Sequence, residues 1–208
     1  MADMGRYLMT QSLLSSWAYI FNCWDGCEDE AIADFMRTLN REEAEPNEAM
    51  LDGIAFENEV YKEAAGIKRA PHRKWEPGIQ KVASYIRGAQ NQVRVSRDLT
   101  VCGMTFLCYG VLDCLQAGVI SDVKYKVKSF GSLDLAGYYL DSPQHPMYFY
   151  LVPEAYEFRY LVSDGQDLYK EEYHPAECRD IRDIISEFIQ SITEMGLLPL
   201  YKEKWLAK

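Results

Sequence analysis

Long apolar runs are missing from this chain. In 208 residues the longest, Met147 to Val152, covers about six positions, whereas a membrane-spanning helix needs about 20. The N-terminus has no basic stretch followed by an apolar one, so no secretory signal is expected and the cytoplasm is the expected compartment. Positive charge is also scarce: 22 Lys and Arg stand against 32 Asp and Glu, a formal net charge of −10. That balance argues against a protein that coats nucleic acid indiscriminately, because phosphate contacts need cations. It leaves room for a local basic lining around an acidic, metal-binding cluster. The sequence also has no internal repeat, low-complexity tract or linker-like stretch, and reads as one domain.

Cysteine is too sparse for a disulfide scaffold, with six in the chain. Cys102, Cys108, Cys114 and Cys178 sit in apolar surroundings and are expected in the core. Cys23 and Cys27 flank an acidic turn, but no second close pair completes a zinc site.

What is present is the make-up of an ordinary globular protein, 48% hydrophobic and 26% charged. The N-terminal third reads as helical. Ser12 is placed to cap a helix running to about Phe21, and Glu28 to Leu39 has a second amphipathic pattern. Asn47 caps a third, from about Glu48 to Ala65, which Gly66 ends. A short helix is expected near Ile79 to Arg87. Three strands follow, Gln92 to Leu99, Met104 to Gln116 and Val119 to Lys128. Pro143 to Val152 is open between strand, from its aromatics, and helix, from its leading proline. A hairpin over Glu157 to Tyr173 turns at Ser163 to Gln166, and an amphipathic helix over Ala176 to Met195 follows it. This order of elements implies an α/β or α+β fold.

The central hairpin carries the chemistry. With its turn at Ala117-Gly118, Leu115 faces Ile120 and Asp113 comes opposite Asp122. Opposed residues of an antiparallel pair share a face, and Lys124, two along from Asp122, shares it too, as do Lys126 and Lys128. Two facing carboxylates repel unless a proton or a cation lies between them. Magnesium suits such a pair, and a nearby lysine could orient water or stabilise charge on a phosphate. A solvated charged face with Asp113 paired to Lys124 is the plainer alternative. On the third helix, Glu57 falls in an apolar stripe of Met50, Ile54, Tyr61 and Ala64. That position is costly for a carboxylate unless it is paired or metal-bound. Glu59 and Glu63 point elsewhere, and Gly53 permits a close approach to the helix.

Taken in order, Gly53-x-x-x-Glu57, Gly110-x-x-Asp113, Asp122-x-Lys124 and Gln144-x-x-x-Tyr148 resemble the PD-(D/E)xK nuclease superfamily. The last motif is similar to that of its RecB-like, phage-exonuclease branch. The resemblance covers roughly Leu51 to Leu151, and Thr10 to Leu14 and the final helix look like the flanks of such domains. It implies a restriction-endonuclease-like α/β core, a mixed sheet flanked by helices, over about 47–175. Helical additions would precede it (about 1–46) and follow it (about 176–208). It implies that Glu57, Asp113 and Asp122, with the Val123 carbonyl, bind Mg²⁺ or Mn²⁺, and that Lys124 activates the hydrolytic water. Gln144 and Tyr148 would orient the site and contact DNA, which makes Pro143 to Val152 a helix. Three features depart from the pattern. Aspartate stands for the commoner glutamate at Asp122, and Pro146 falls inside the last motif. Only Cys178 lies downstream of the core, so the iron–sulfur cluster of some relatives is not expected.

The expected activity is a metal-dependent DNA exonuclease of recombination, repair or phage DNA processing, with a recombination protein as a conceivable partner. Arg69, His72, Arg73, Lys74, Arg94, Arg97, Lys126 and Lys128 are the candidate strand-binding residues. A catalytically inactive nucleic-acid- or protein-binding module is the alternative from another class. A structure-specific or RNA-directed endonuclease is a third reading.

Overall fold

A computed structural model describes residues 5–43, 45–128, 130 and 135–207. In chain order its elements are β1 (Arg6–Thr10), α1 (Gln11–Asn22), α2 (Glu28–Asn40), α3 (Glu48–Ala64), α4 (Glu76–Ile86), β2 (Gln90–Val101), β3 (Met104–Gln116) and β4 (Val119–Tyr125). Then come α5 (Gln144–Leu151), β5 (Glu157–Ser163), β6 (Leu168–Tyr173), α6 (Ile181–Glu194) and α7 (Leu198–Lys204). The six strands form one mixed sheet, with β1 parallel to β3, β4 parallel to β5, and the other pairs antiparallel. Helices cover both faces. The larger core packs α1, α2, α5, α6 and α7 around Phe106, Phe158 and Tyr160. The smaller one packs α3 and α4 against Val123 and Leu161. This is the restriction-endonuclease-like α/β arrangement that the motifs imply.

Several local expectations need correction. The first described element is a strand, not a helix, and Thr10 rather than Ser12 caps α1, its hydroxyl accepting from the Leu13 N–H. The short helix α7 went unforeseen. β4 ends at Tyr125, so Lys126 and Lys128 lie beyond the strand. Pro143 to Val152 is helical. Pro146 sits at the third position of α5, where a backbone N–H has no intrahelical partner to lose. On α3 the buried stripe is Phe56, Val60 and Ala64, spaced by four, while Met50 and Ile54 are exposed. Cys108 and Cys114 are core residues as expected, whereas Cys102 lies exposed on a turn and Cys178 is only half-buried.

The feature that positions the site is a fork in the sheet. β2 runs along one edge of β3 from Met104 to Leu115. The other edge is shared: β1 pairs with Thr105 to Tyr109, and β4 pairs with Cys114 to Gln116. Gly110 to Asp113 fall in the gap between them. Buried backbone groups need partners wherever a ladder stops, and here side chains supply them. The Tyr148 hydroxyl donates to the Val111 carbonyl at 3.0 Å, and the Asp113 carboxylate accepts the Val123 N–H at 3.0 Å. Gly110 admits the Tyr148 ring. A Cβ there would sit 2.4 Å from its Cε1.

Candidate active site

The expected register of the central hairpin is present as far as its pairs extend. Gln116 faces Val119, Leu115 faces Ile120 and Cys114 faces Ser121. One step further the strands part, which brings Asp113 and Asp122 to the mouth of the fork. Asp122 is 3% exposed. Its Oδ1 accepts from Gln144 Nε2 at 2.5 Å, and its Oδ2 lies 2.7 Å from the Lys124 ammonium. Apart from that ammonium, no donor among the described residues reaches Oδ2.

Withdrawal from water, and then the charge of Asp122, push the Asp113 carboxyl well above the ordinary aspartate range. Lys124 and the Val123 N–H counter this only in part. For Lys124, partial burial alone would lower the ammonium, but Asp122 and Asp113 outweigh it and hold the group above its ordinary value. The arrangement therefore holds more negative charge than its one lysine neutralises.

Glu57 stands on α3 beside the buried Phe56, half-exposed. Its Oε1 accepts from the Tyr61 hydroxyl and from Gln92 Nε2, the latter at 3.4 Å. Glu57 is near enough to Asp113 to raise its pKa. Among the described residues, however, no three His, Cys, Asp or Glu side chains are grouped closely enough to hold a metal ion. The pair Asp113 and Asp122 is in place; Glu57 is turned toward Tyr61. Val123, the expected carbonyl ligand, lies buried between Asp122 and Lys124.

The donor set nonetheless fits a hard divalent cation. All of its candidate ligands are oxygens, Asp122 Oδ2 is buried beside a single ammonium, and Asp113 is short of positive charge.

Gln144 and Tyr148 are brought to the site but not to its surface. They are 6% and 5% exposed, and their contacts are with the site's own residues. Gln144 fixes Asp122, and Tyr148 fixes the backbone two residues before Asp113.

In front of the fork opens a cleft of about 700 Å³ between α3 and the segment Val123 to Lys128, lined also by Asn47, Gly53 and Glu57. A Cβ on Gly53 would meet nothing within 4 Å, so the close approach expected there involves no other described part of the chain. Lys126 and Lys128 line this cleft. The other candidate cations are dispersed. Arg69 is committed to Glu63 and Glu76 at 2.9 and 2.7 Å, with its side chain 8% exposed. Lys74 pairs with Asp52 at 3.4 Å, and His72 stacks on Trp75. Arg97 lies over the Tyr150 ring, while Arg73 and Arg94 are exposed.

Two residues of the site were not assigned to it from the sequence, Tyr61, which was read only as part of an apolar stripe, and Gln92. Tyr61 is four residues after Glu57, a spacing at which helical side chains meet, so it was findable. Gln92 gave no local signal.

No protein-family model matches the chain, and no curated protein matches it. Solved structures do. The crystal structure of SSO0001 is similar over 93% of this chain and 78% of that one, at 15% identity and a TM-score of 0.52. LHK-Exo in complex with dAMP overlaps 91% of each chain, at 12% identity and a TM-score of 0.38. The first likeness is one of fold; the second is too loose to add to it.

Proposed function

We propose that the chain is a metal-dependent nuclease of the PD-(D/E)xK superfamily, RecB-like branch, that hydrolyses phosphodiester bonds in DNA. The observation that carries this reading is the buried Asp122 beside the half-buried Asp113, with the Lys124 ammonium 2.7 Å from Asp122 at the head of a cleft. Neighbouring carboxylates in short supply of cation are a poor structural element and a good magnesium or manganese site. Asp113 and Asp122 would hold the ion, with Glu57 and the Val123 carbonyl completing its protein ligands. When bound, the ion supplies Lewis acidity toward the scissile phosphate and the attacking water.

The chain's own residues do the rest. Lys124 orients the water and meets charge on the phosphate. Gln144 holds Asp122 by its Oδ1, leaving Oδ2 on the side of Lys124. Tyr148 keeps the fork open by taking the Val111 carbonyl. Lys126 and Lys128 are the cations that line the cleft and could hold a strand.

The test is cleavage of end-labelled DNA in Mg²⁺ or Mn²⁺. Wild type is expected to cut, and Lys124→Ala to bind DNA and metal yet cut at least about 100-fold more slowly. A wild-type rate in Lys124→Ala would remove the hydrolytic assignment and favour a binding module.

The expected mode of cutting rests on charge together with a single domain that offers no second lobe to encircle uninterrupted duplex and with the RecB-like resemblance. A net charge of −10 opposes long-range capture of duplex interiors, so linear DNA should be degraded while covalently closed circles survive. Rapid cutting of circles would replace the exonuclease reading by an endonuclease one. Inertness toward both, with metal bound, would point to RNA or to a required partner, such as a recombination protein.

A further inference from the structure

Four non-glycine residues among those described have positive φ: Arg41, Gln92, Cys102 and Ala117. Three have ordinary reasons. Arg41 terminates α2, and Cys102 and Ala117 begin the two-residue turns Cys102-Gly103 and Ala117-Gly118 that join β2 to β3 and β3 to β4. Turns of that kind demand left-handed residues. Gln92, with φ of 54°, lies inside a strand. A long side chain in that conformation is strained, and strain kept where no turn requires it points to use.

Its place is informative. β2 pairs Asn91 with Cys114 and Val93 with Leu112, so Gln92 is level with Asp113. From there its Nε2 reaches across to α3, 3.2 Å from the Tyr61 hydroxyl and 3.4 Å from Glu57 Oε1. The Tyr61 hydroxyl donates to the same Oε1. Two donors thus converge on one carboxylate oxygen, and no hydrogen bond from the described residues reaches Oε2, which leaves it as the oxygen to turn to a cation.

We propose that Gln92 is a positioning residue. With Tyr61 it sets the orientation of Glu57 beside Asp113, and the left-handed kink in β2 serves to aim its amide there. The inference rests on the metal-dependent reading of the site, and the assay separates the two.

The probe is Mn²⁺ alone, with the thermal unfolding of purified full-length protein followed against its concentration. Gln92→Gly relieves the backbone and deletes the amide. It is expected to melt at or above the wild-type temperature in EDTA, yet to need roughly tenfold more Mn²⁺ for half of the metal-induced rise, as outer-shell partners of metal ligands typically show. Tyr61→Phe, which keeps the ring and loses the second donor, should raise the Mn²⁺ requirement in the same direction. Unchanged Mn²⁺ dependence in Gln92→Gly would overturn the assignment. So would a melting temperature in EDTA below wild type, which would make the amide a structural support. No Mn²⁺ effect on wild type would overturn the metal reading itself, and this inference with it.

Discussion

Replacing Asp113 by asparagine should stabilise the metal-free protein. The change conserves shape, and an amide oxygen can still accept the Val123 N–H now bonded at 3.0 Å, so charge is what is removed. The ladder stops one pair short of Asp113 and Asp122, so the roughly 5 Å between ladder partners is a lower limit for the spacing of their backbones. At that spacing two carboxylates repel by about 3 kcal/mol in an effective dielectric of about 20. If Lys124 offsets roughly half of this, Asp113→Asn gains about 1.5 kcal/mol, or about 3–6 °C in Tm for a chain of this length. The pH dependence has a definite sign. The folded pKa of Asp113 is raised above the ordinary value of 3.8, so over that window the folded state holds more protons than the unfolded chain. Stability therefore falls as pH rises through it. The gap between Asp113→Asn and wild type should be small near pH 4 and open toward neutrality. The assay is thermal unfolding in EDTA from pH 4 to 8, repeated with Mn²⁺. Saturating metal stabilises wild type by about 2.7 kcal/mol at 100 times Kd, which reverses the order of the two proteins. An Asp113→Asn protein less stable than wild type in EDTA at pH 7 would refute the reasoning.

Other consequences concern the helix and the fork. Glu57→Gln should lose nearly all cleavage, whereas Glu59→Gln, which removes only a surface pair with Lys62, should keep wild-type cleavage rates and stay within about 0.5 kcal/mol in denaturant titrations. Gly110→Ala puts a methyl 2.4 Å from the Tyr148 ring. It should cost about 1–3 kcal/mol in the same titration, because ring and strand must separate.

The central hairpin was legible because its turn fixes its register, and the alternation of β3 leaves little choice of face. Three of the four motifs lie on elements that the patterns alone nearly delimited, whereas Gln144-x-x-x-Tyr148 fell in a segment that pattern left open between strand and helix and that proved helical. The fork was not legible, because it depends on β1. Those five residues, Arg6 to Thr10, run straight into α1 without a breaking residue, and only Tyr7 and Met9 betray a buried face. The inward face of α3 was misread for a related reason. Met50 and Ile54 are apolar yet line an open cleft, and hydrophobicity alone does not distinguish a wall exposed to ligand from a core contact. Glu57 was singled out from that misread stripe and from its spacing to Gly53, although the buried stripe runs through its neighbour Phe56. Gln92 was beyond reach, because its conformation arises from long-range pairing and no residue near it in sequence demands it.

The central claim is that Asp113 and Asp122 exist to hold a divalent cation. Anomalous diffraction at the manganese edge, from crystals soaked in Mn²⁺, tests it most directly. The expected result is a peak within about 2.0–2.4 Å of a carboxylate oxygen of each aspartate, with Lys124 beside it and unbound. A site that stays empty in saturating Mn²⁺, with Lys124 still closed on Asp122, would contradict it.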